Sequence, residues 1–273
     1  MFLYIFSMQQ YLHDFLIFIY RQAYACIFGF FLVFMIILTK YSYLLEGIIY
    51  RYDFLFLAAI AFQIFLIVTR LESWREVGVI AMFHIVAMVM EIFKTHPSIG
   101  SWSYPWDFTI GIMHVPLFAG FMYSAVGSYI ARVWRIFEFR FENYPKKLYT
   151  ILIALAIYIN FFTHHFIWDM RYIIFCCILY IYGRTRVYFK PGKVYYSMNL
   201  ILGFSLVAFV IWIIENIGTF TRTWIYPSNV YSGFMVNPQK IGAWFLLMII
   251  SFVLVSLIHP PRKYTDHSKI QKI

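Results

Sequence analysis

The stretch VGVIAMFHIVAMVMEIFKT, Val77–Thr95, is apolar along nearly its whole length and ends on the charged turn Glu91–Lys94. A helix that crosses the hydrocarbon core of a membrane needs about 20 mostly apolar residues, and this stretch comes close to that length. Eight runs of this kind occur in the chain. They are Ala23–Thr39, Asp53–Thr69, Val77–Phe93, Ile112–Ile130, Leu148–Phe162, Tyr172–Tyr188, Ser197–Ile217 and Gly242–Ile258. The pattern predicts an all-α, polytopic membrane helical bundle with about eight transmembrane helices in a single domain.

The composition also indicates a membrane protein. Of the 273 residues, 63% are hydrophobic and 12% are charged, whereas a soluble domain carries about 25% charged residues. The net charge of +10 comes from Lys and Arg residues that lie mostly in short segments between apolar runs. Loops that face an anionic leaflet have this composition. We therefore expect the lipid bilayer as a partner and no nucleic acid.

The basic residues predict the orientation of the chain in the membrane. Most of the 22 Lys and Arg residues fall in every second loop and in the C-terminal segment 259–273, and cytoplasmic loops carry such an excess. We expect both termini, including the tail 259–273, to be cytoplasmic, with Trp102, His165 and Trp224 on the far side of the cell membrane. The N-terminal segment MFLYIFSMQQYLHDF has no basic leader, so we interpret it as an interfacial helix and not as a signal peptide.

A short motif, Trp-x-Tyr-Pro, occurs at Trp102–Pro105 and again at Trp224–Pro227. Each copy follows an apolar run that ends on a glutamate, Glu91 or Glu215, and four predicted spans separate the two glutamates. Both helices should therefore leave the membrane on the same side. This arrangement favours a parallel internal repeat of four and four helices. The two halves would cover residues 22–132 and 147–258.

A carboxylate at membrane depth costs about 2.5–3.5 kcal/mol at the centre of the bilayer and less near the interface. Two explanations account for Glu91 and Glu215. In the structural one, Glu91 pairs with Lys94 one turn on and Glu215 bonds the amides of the loop that follows it. In the functional one, the two carboxylates form a pair that exchanges protons or binds a cation.

A second polar cluster, Asn160, His164, His165 and Asp169, follows the fifth run. If the helix continues through it, His165 and Asp169 share a face, as Asn160 and His164 do. A His-x-x-x-Asp pair suits a metal ligand set or a base held by a carboxylate, and His164, His165 and Asp169 are the predicted ligands of a divalent metal. Histidines that only cap a helix are the alternative.

Further polar and small residues lie on the third and fourth runs. His84 precedes Glu91 by two helical turns on the same stripe, and His114 opens the fourth run. Gly120, Ser124 and Ser128, at a spacing of four, predict close helix packing with the fourth helix at the centre of the bundle.

The leading functional hypothesis is a membrane-embedded enzyme that acts on a lipid-soluble substrate, a lipid or isoprenoid, in the outer half of the bilayer. Its predicted catalytic residues are Glu91, Glu215, His84, His165 and Asp169. Its predicted substrate-binding residues are Trp102, Tyr104, Trp224, Tyr226, Asn160 and Asn216. One alternative is a secondary transporter or ion-coupled permease. The other is a haem-binding protein with two of His84, His114, His164 and His165 as axial ligands.

Several segments together resemble a known family of bacterial membrane proteins. They are Glu91-Ile-Phe-Lys-Thr, Gly100-Ser-Trp-Ser-Tyr-Pro105, Pro116-Leu-Phe-Ala-Gly-Phe-Met-Tyr-Ser-Ala-Val-Gly-Ser-Tyr129, Asn160-Phe-Phe-Thr-His-His165, Glu215-Asn-Ile-Gly-Thr-Phe220 and Trp224-Ile-Tyr-Pro227. The family is the YoaT-like one, described as a domain of unknown function (817), and the resemblance covers roughly Gln22 to Ser256. It implies a multi-span protein of the bacterial inner membrane without assigned activity. The short Glu and Trp-x-Tyr segments also resemble membrane-bound carotenoid cyclases and hydratases, which protonate isoprenoid double bonds with carboxylates.

Overall fold

Nine helices and five short strands form the described part of the chain, residues 2–227 and 235–265 of this computed structural model. The helices are α1 Phe2–Ala25, α2 Ile27–Tyr41, α3 Arg51–Val68, α4 Trp74–Thr95, α5 Phe118–Ile136, α6 Lys147–Thr163, α7 Arg171–Tyr182, α8 Leu200–Phe220 and α9 Lys240–Ile258. The strands are β1 Gly111–Ile112, β2 Val115–Pro116, β3 Arg140–Glu142, β4 Arg186–Phe189 and β5 Tyr196–Asn199. Each predicted apolar run overlaps one of the helices α2 to α9, so the predicted helical bundle is confirmed.

The structure supports some of the predicted membrane spans by the length and composition of their helices. By length and apolar composition, four helices can cross a membrane, namely α3, α4, α8 and α9. The segment Gln9–Ala25 of α1 and helix α2 meet at an angle of 62° and add a fifth span if they are counted together. Helices α6 and α7 are apolar but have only 17 and 12 residues. The structure thus supports four or five spans, and the other predicted spans remain a prediction.

Three predicted helix ends are wrong because short strands replace them. The fourth run was predicted to start at Ile112, but residues 111–116 form the β1–β2 hairpin before α5. The sixth was predicted to extend to Tyr188, but α7 ends at Tyr182 and β4 pairs with β3 and β5. In Arg186–Phe189 only Val187 is buried, between the exposed Arg186 and the half-buried Tyr188, and successive strand residues face opposite sides in this way. The seventh run was predicted to begin at Ser197, but α8 begins three residues later, at Leu200. Asn199 caps this helix, because its side chain accepts a hydrogen bond from the Ile201 amide.

One end of the bundle, which we call the glutamate end, contains the C-terminal ends of α4 and α8. The start of α3 lies there too, because the Arg51 guanidinium donates to the Thr221 carbonyl at 3.2 Å. Lys94 at the end of α4 lies 3.3 Å from His164, the residue after α6. The loops that the basic residues assigned to one side of the membrane therefore meet at one end of the bundle.

The opposite end, which we call the sheet end, contains the strands β3, β4 and β5. The segment after α9 lies against them, since the Phe141 amide donates to the Arg262 carbonyl and the Tyr264 amide to the Phe141 carbonyl. Residues 259–265 of the predicted tail are thus ordered against β3, and residues 266–273 lie outside the described residues. Most of the basic loop residues gather at this end.

Helix α5 packs closely against α4 through the predicted small residues. A side chain at Gly120 would overlap the ring of His84, and one at Gly127 would overlap that of Phe83. The Ser124 hydroxyl donates to the Ile80 carbonyl of α4 at 3.1 Å. The packing ridge is therefore confirmed, and α5 also contacts α1, α2, α3 and α9, which makes it the central helix.

The helix contacts agree with a parallel duplication. Helices α4 and α5 form one closely packed pair, and α8 and α9 form the corresponding pair. Helix α2 packs against α8, and α6 meets α4 through the rings of Phe162 and Phe93, whose centroids are 4.9 Å apart. A parallel duplication predicts both of these contacts, and the duplication itself stays a prediction.

Candidate functional site

Glu91 lies one turn before the end of α4, 1% exposed, and three neutral donors hold its carboxylate. The Trp102 indole N–H and the Tyr104 hydroxyl donate to Oε2 at 2.8 and 2.7 Å. The Tyr123 hydroxyl of α5 donates to Oε1 at 2.7 Å. Two of the donors thus come from the motif that follows α4 and the third from the next helix, so the carboxylate has a fixed orientation.

Glu215 lies at the corresponding place on α8, 2% exposed, and its partners repeat the pattern. The Tyr226 hydroxyl donates to Oε1 and the Trp244 indole N–H donates to Oε2. Tyr226 belongs to the second Trp-x-Tyr-Pro motif, and Trp244 lies on α9, the helix that follows it. Each half of the chain therefore holds its own glutamate with an aromatic residue of its motif and one of its next helix.

The structural explanation offered for the glutamates is wrong in its detail. Glu91 makes no ion pair with Lys94, whose amine points instead to His164 and His165. Glu215 accepts from two side chains rather than from the amides of the following loop. Neutral aromatic donors replace both predicted partners.

The two motifs contact each other directly. Their central residues, Ser103 and Ile225, form an antiparallel pair in which each amide donates to the other's carbonyl at 3.0 Å. The rings of Trp102 and Tyr226 lie edge to face with their centroids 6.1 Å apart. This reciprocal pairing is the one expected if a two-fold axis between the motifs relates the halves, and it brings the two glutamate networks together.

Tyr226 is one of the residues on which both carboxylates act. Burial raises its pKa far above the usual range, and the negative charges of Glu215 and, more weakly, Glu91 raise it further. Its hydroxyl therefore stays protonated across the physiological range. The two glutamates form one electrostatic site rather than two separate ones.

A cavity of about 540 Å³ opens beside this pair and is lined by residues from α1, α2, α5, α8 and α9. Both glutamates line it, together with Trp102, Tyr104, Trp224 and Tyr226. On α8 its lining runs from Leu200 to Glu215, about 22 Å at 1.5 Å per residue. Beyond the site the lining is apolar apart from Gln22, Cys26 and Tyr129. The cavity is thus a long apolar tube with its polar groups at one end.

His84 lies outside this cavity. Its half-buried ring packs edge to face on Phe121, with centroids 4.9 Å apart, and against Gly120. Its Nδ1 has no hydrogen-bond partner among the described residues. His84 and Glu91 lie on the same stripe of α4. At His84 the closely packed helix α5 covers this stripe, so the cavity does not extend to it.

The second polar cluster divides into two groups, because α6 ends at Thr163. His165 and Asp169 therefore do not share a helix face, as a longer helix would have required. Asp169 accepts from Asn160 at 3.1 Å and pairs with Arg171 at 3.1 Å. Neither Asn160 nor Asp169 lines the cavity beside the glutamates.

The two histidines face the amine of Lys94. Nε2 of His165 lies 2.7 Å from Nζ, and Nε2 of His164 lies 3.3 Å from it. His164 and His165 lie together, but Asp169 does not complete a ligand set with them: within residues 2–227 and 235–265 no group of three His, Cys, Asp or Glu side chains is placed to hold a metal ion. His114 lies exposed in the β1–β2 turn, where its ring lies edge to face with that of His96, with centroids 6.3 Å apart.

Asn216, predicted to bind substrate, instead fixes the chain after α8. Its amide donates to the Trp212 carbonyl at 2.7 Å, and its carbonyl accepts from the Val236 amide at 2.8 Å. The side chain thus ties α8 to the segment that leads into α9, and it does not line the cavity.

Comparison with known proteins identifies the family of this chain. The sequence model of a family described as "Protein of unknown function (DUF817)" matches residues 14–252. The chain belongs to this family. It is 38% identical over 206 residues to "Uncharacterized protein YoaT" of Bacillus subtilis (strain 168), which covers 76% of this chain and 77% of that protein. No solved structure matches the chain.

Two donors of this DUF817 site were missed at the sequence level, Tyr123 and Trp244. Both lie on the helix that follows a Trp-x-Tyr-Pro motif, 32 residues after Glu91 and 29 residues after Glu215. Aromatic residues fill the sequence at 23%, so single ones carry little signal. The two distances differ by three residues, so a search at one fixed distance from both glutamates would not have found them.

Gly218 allows the second motif to reach its place, which gives a first prediction. A side chain at Gly218 would overlap the ring of Trp224. We expect Gly218→Ala to lower the free energy of unfolding by about 1–3 kcal/mol, the usual cost of overpacking, and to shift tryptophan fluorescence. Gly203→Ala on the same helix is the matched control, because its nearest neighbour, Met198 Sδ, lies at an ordinary 3.6 Å. Equal losses for both variants would contradict the assignment.

Proposed function

We propose that this DUF817 protein is a membrane-embedded enzyme that acts on a lipid-soluble substrate, a lipid or isoprenoid, with Glu91 and Glu215 as its proton-handling pair. One observation carries the proposal: both carboxylates, held by aromatic donors, lie at the polar end of a long apolar cavity. Small-molecule sites combine an apolar lining with a few convergent polar groups in this way.

The shape of the cavity supports a substrate with one long apolar chain. Its extent along α8, about 22 Å, is longer than one leaflet, which is half of a hydrocarbon core about 30 Å thick. A chain that lies in the tube would bring its polar or unsaturated end to the glutamates. The apolar lining of the cavity would also keep water away from a reactive intermediate.

The donors allow each carboxyl group to change its protonation state in place. An indole N–H can only donate, so Trp102 and Trp244 each require an acceptor oxygen on their glutamate. A tyrosine hydroxyl can donate or accept, so Tyr104, Tyr123 and Tyr226 can reverse their hydrogen bonds when a proton arrives. Neither glutamate has to lose its anchoring contacts during such a change.

Two carboxyl groups in one site do not titrate together, and such pairs divide into an acid and a base. One glutamate would donate a proton to the substrate while the other accepts one from it. The bonds and charges then balance as an isomerisation, and the pair returns to its starting state when the proton passes back. No external oxidant or reductant is needed.

The alternatives have less support. A transporter or ion-coupled permease needs polar groups along its path, but only Gln22, Cys26 and Tyr129 interrupt the apolar lining beyond the site. Axial ligation of haem needs two imidazole nitrogens that face each other across the iron. His164 and His165 instead direct Nε2 to the same amine, with ring centroids 4.1 Å apart.

The proposal is tested by the lipid-soluble compounds of cells that produce the protein. Membranes with the wild type are compared with membranes that carry the Glu91→Gln, Glu215→Gln double variant at equal abundance. Mass spectrometry of solvent extracts, with chromatographic separation of isomers, should show at least one compound converted only by the wild type. Identical extracts would count against an enzyme.

The proposed location is the cytoplasmic membrane of a bacterial cell, with both termini in the cytoplasm. We expect a periplasmic reporter to be active when fused after Tyr104 at the glutamate end, and a cytoplasmic reporter when fused after Pro191 at the sheet end. The basic excess at the sheet end is the physical reason. The reverse pattern would place the polar end of the cavity on the cytoplasmic side and contradict the orientation.

A further inference from the structure

Lys240, the first residue of α9, places its ammonium over two aromatic rings of the site. Its Nζ lies 4.0 Å from the ring centroid of Tyr226 and 5.8 Å from that of Trp102. No carboxylate among the described residues comes within 4.0 Å of this half-buried amine. A protein cation thus occupies the aromatic faces without a direct ion pair.

No positively charged side chain in the described part of the chain pairs directly with either glutamate. Five neutral donors hold Glu91 and Glu215, and neither glutamate belongs to an ion pair in the described part of the chain. Neutral donors stabilise a carboxylate but do not balance its charge, and unbalanced buried charge is costly. The site therefore attracts a proton or a cation, and Lys240 is the nearby cation on which Glu215 acts electrostatically.

We propose that the polar end of the cavity recognises a positively charged head group, and that the substrate is a long-chain amine or quaternary ammonium amphiphile. Lys240 then acts as a tethered cation that covers the aromatic faces until the substrate displaces it. This inference rests on the proposed function, because it names the class of molecule that the cavity takes.

The order of groups along the bundle fits such an amphiphile. Lys240 lies one turn before Trp244 on α9, and Trp244 donates to Glu215. The position of the ammonium is therefore one turn further out than the carboxylate, while the apolar tube extends inward from it. A head group at that position rests on Tyr226 and Trp102, and its chain passes the glutamates. Aromatic faces with nearby carboxylates are the usual surroundings of a bound quaternary ammonium group.

The test compares three probes that share one hexadecyl chain brominated close to the head group and differ only in head group: trimethylammonium, alcohol and phosphate. Bromine quenches tryptophan fluorescence at short range, and Trp102, Trp224 and Trp244 line the site. The full-length protein in an uncharged, bulky detergent is titrated with each probe. We expect the ammonium probe to bind about tenfold more tightly than the alcohol, within the range of cation–aromatic and charge contacts.

Two variants and a control complete the test. Glu215→Gln should remove most of the preference for the ammonium probe, and Lys240→Met should increase its affinity, because the competing amine is gone. Lys193→Met, which removes an exposed lysine at the sheet end, should change neither. Tightest binding of the phosphate probe, weakened by Lys240→Met, would overturn the inference and make Lys240 an anion anchor.

The remaining outcomes separate this inference from the proposed function. If all three probes quench with equal affinity, the cavity binds alkyl chains but does not distinguish the charges of their head groups. Only the head-group inference then fails. If no probe quenches, the cavity does not take long chains and the proposed function fails with it.

Discussion

Glu91→Gln is expected to reduce turnover of the lipid-soluble substrate at least about 100-fold while the fold stays intact. General acid–base catalysis contributes about 10²–10⁴-fold, and the amide cannot hold or release the proton. Glutamine keeps the shape of the side chain and still accepts from one of Trp102, Tyr104 and Tyr123. Turnover of the compound identified in the extracts, measured with purified protein, checks the loss, and thermal unfolding checks the fold.

A matched control exists at the opposite end of the molecule. Glu142 on β3 also accepts a tyrosine hydroxyl, that of Tyr188, at 2.7 Å, but it lies outside the cavity. Glu142→Gln should leave turnover unchanged. If both variants keep full activity, Glu91 has a structural role. If Glu91→Gln fails to fold, Glu91→Asp separates the catalytic role from the structural one, because it keeps the carboxyl group on a side chain that is one methylene shorter.

The helical bundle was predictable because its signal is local. A continuous apolar run forms a helix whatever it later contacts, and each run did so. The errors lie at segments such as Arg186–Phe189, whose Val, Tyr and Phe residues extend an apolar run by composition although they form a strand. Their pairing with β3 depends on residues more than 40 positions away, which a window along the sequence does not contain.

The centre of the candidate site was marked by duplication. Two glutamates before two copies of one motif pointed to Glu91, Glu215 and the aromatic residues that now surround them. His84 shows the limit of this reasoning. It shares a helical stripe with Glu91, but Gly120 lets α5 approach and close that stripe, so a shared face did not mean a shared cavity. His165 and Asp169 depended on whether α6 continued beyond Thr163, and it does not.

Arg132→Met is expected to lower the free energy of unfolding by about 3–5 kcal/mol, the cost of breaking a buried ion pair. The Arg132 guanidinium lies 2.6 Å from the Glu72 carboxylate, and both side chains are fully buried between α5 and the α3–α4 turn. Gln63 and Ser128 also donate to Glu72. Removing the arginine leaves a buried carboxylate with two neutral donors, which do not replace the lost charge. Reversible unfolding in detergent measures the loss.

The neighbouring pair on the same helix provides the control. Arg135 also pairs with a glutamate, Glu76, at 3.1 Å, but its side chain is 47% exposed, and such a pair contributes about 1 kcal/mol or less. Combining Arg132→Met with Glu72→Leu should recover most of the stability, because two apolar side chains of similar volume often replace a buried ion pair without loss. If the double variant is no more stable than Arg132→Met alone, the hydrogen bonds of Gln63 and Ser128 to Glu72, rather than the ion pair, hold α5 to the α3–α4 turn.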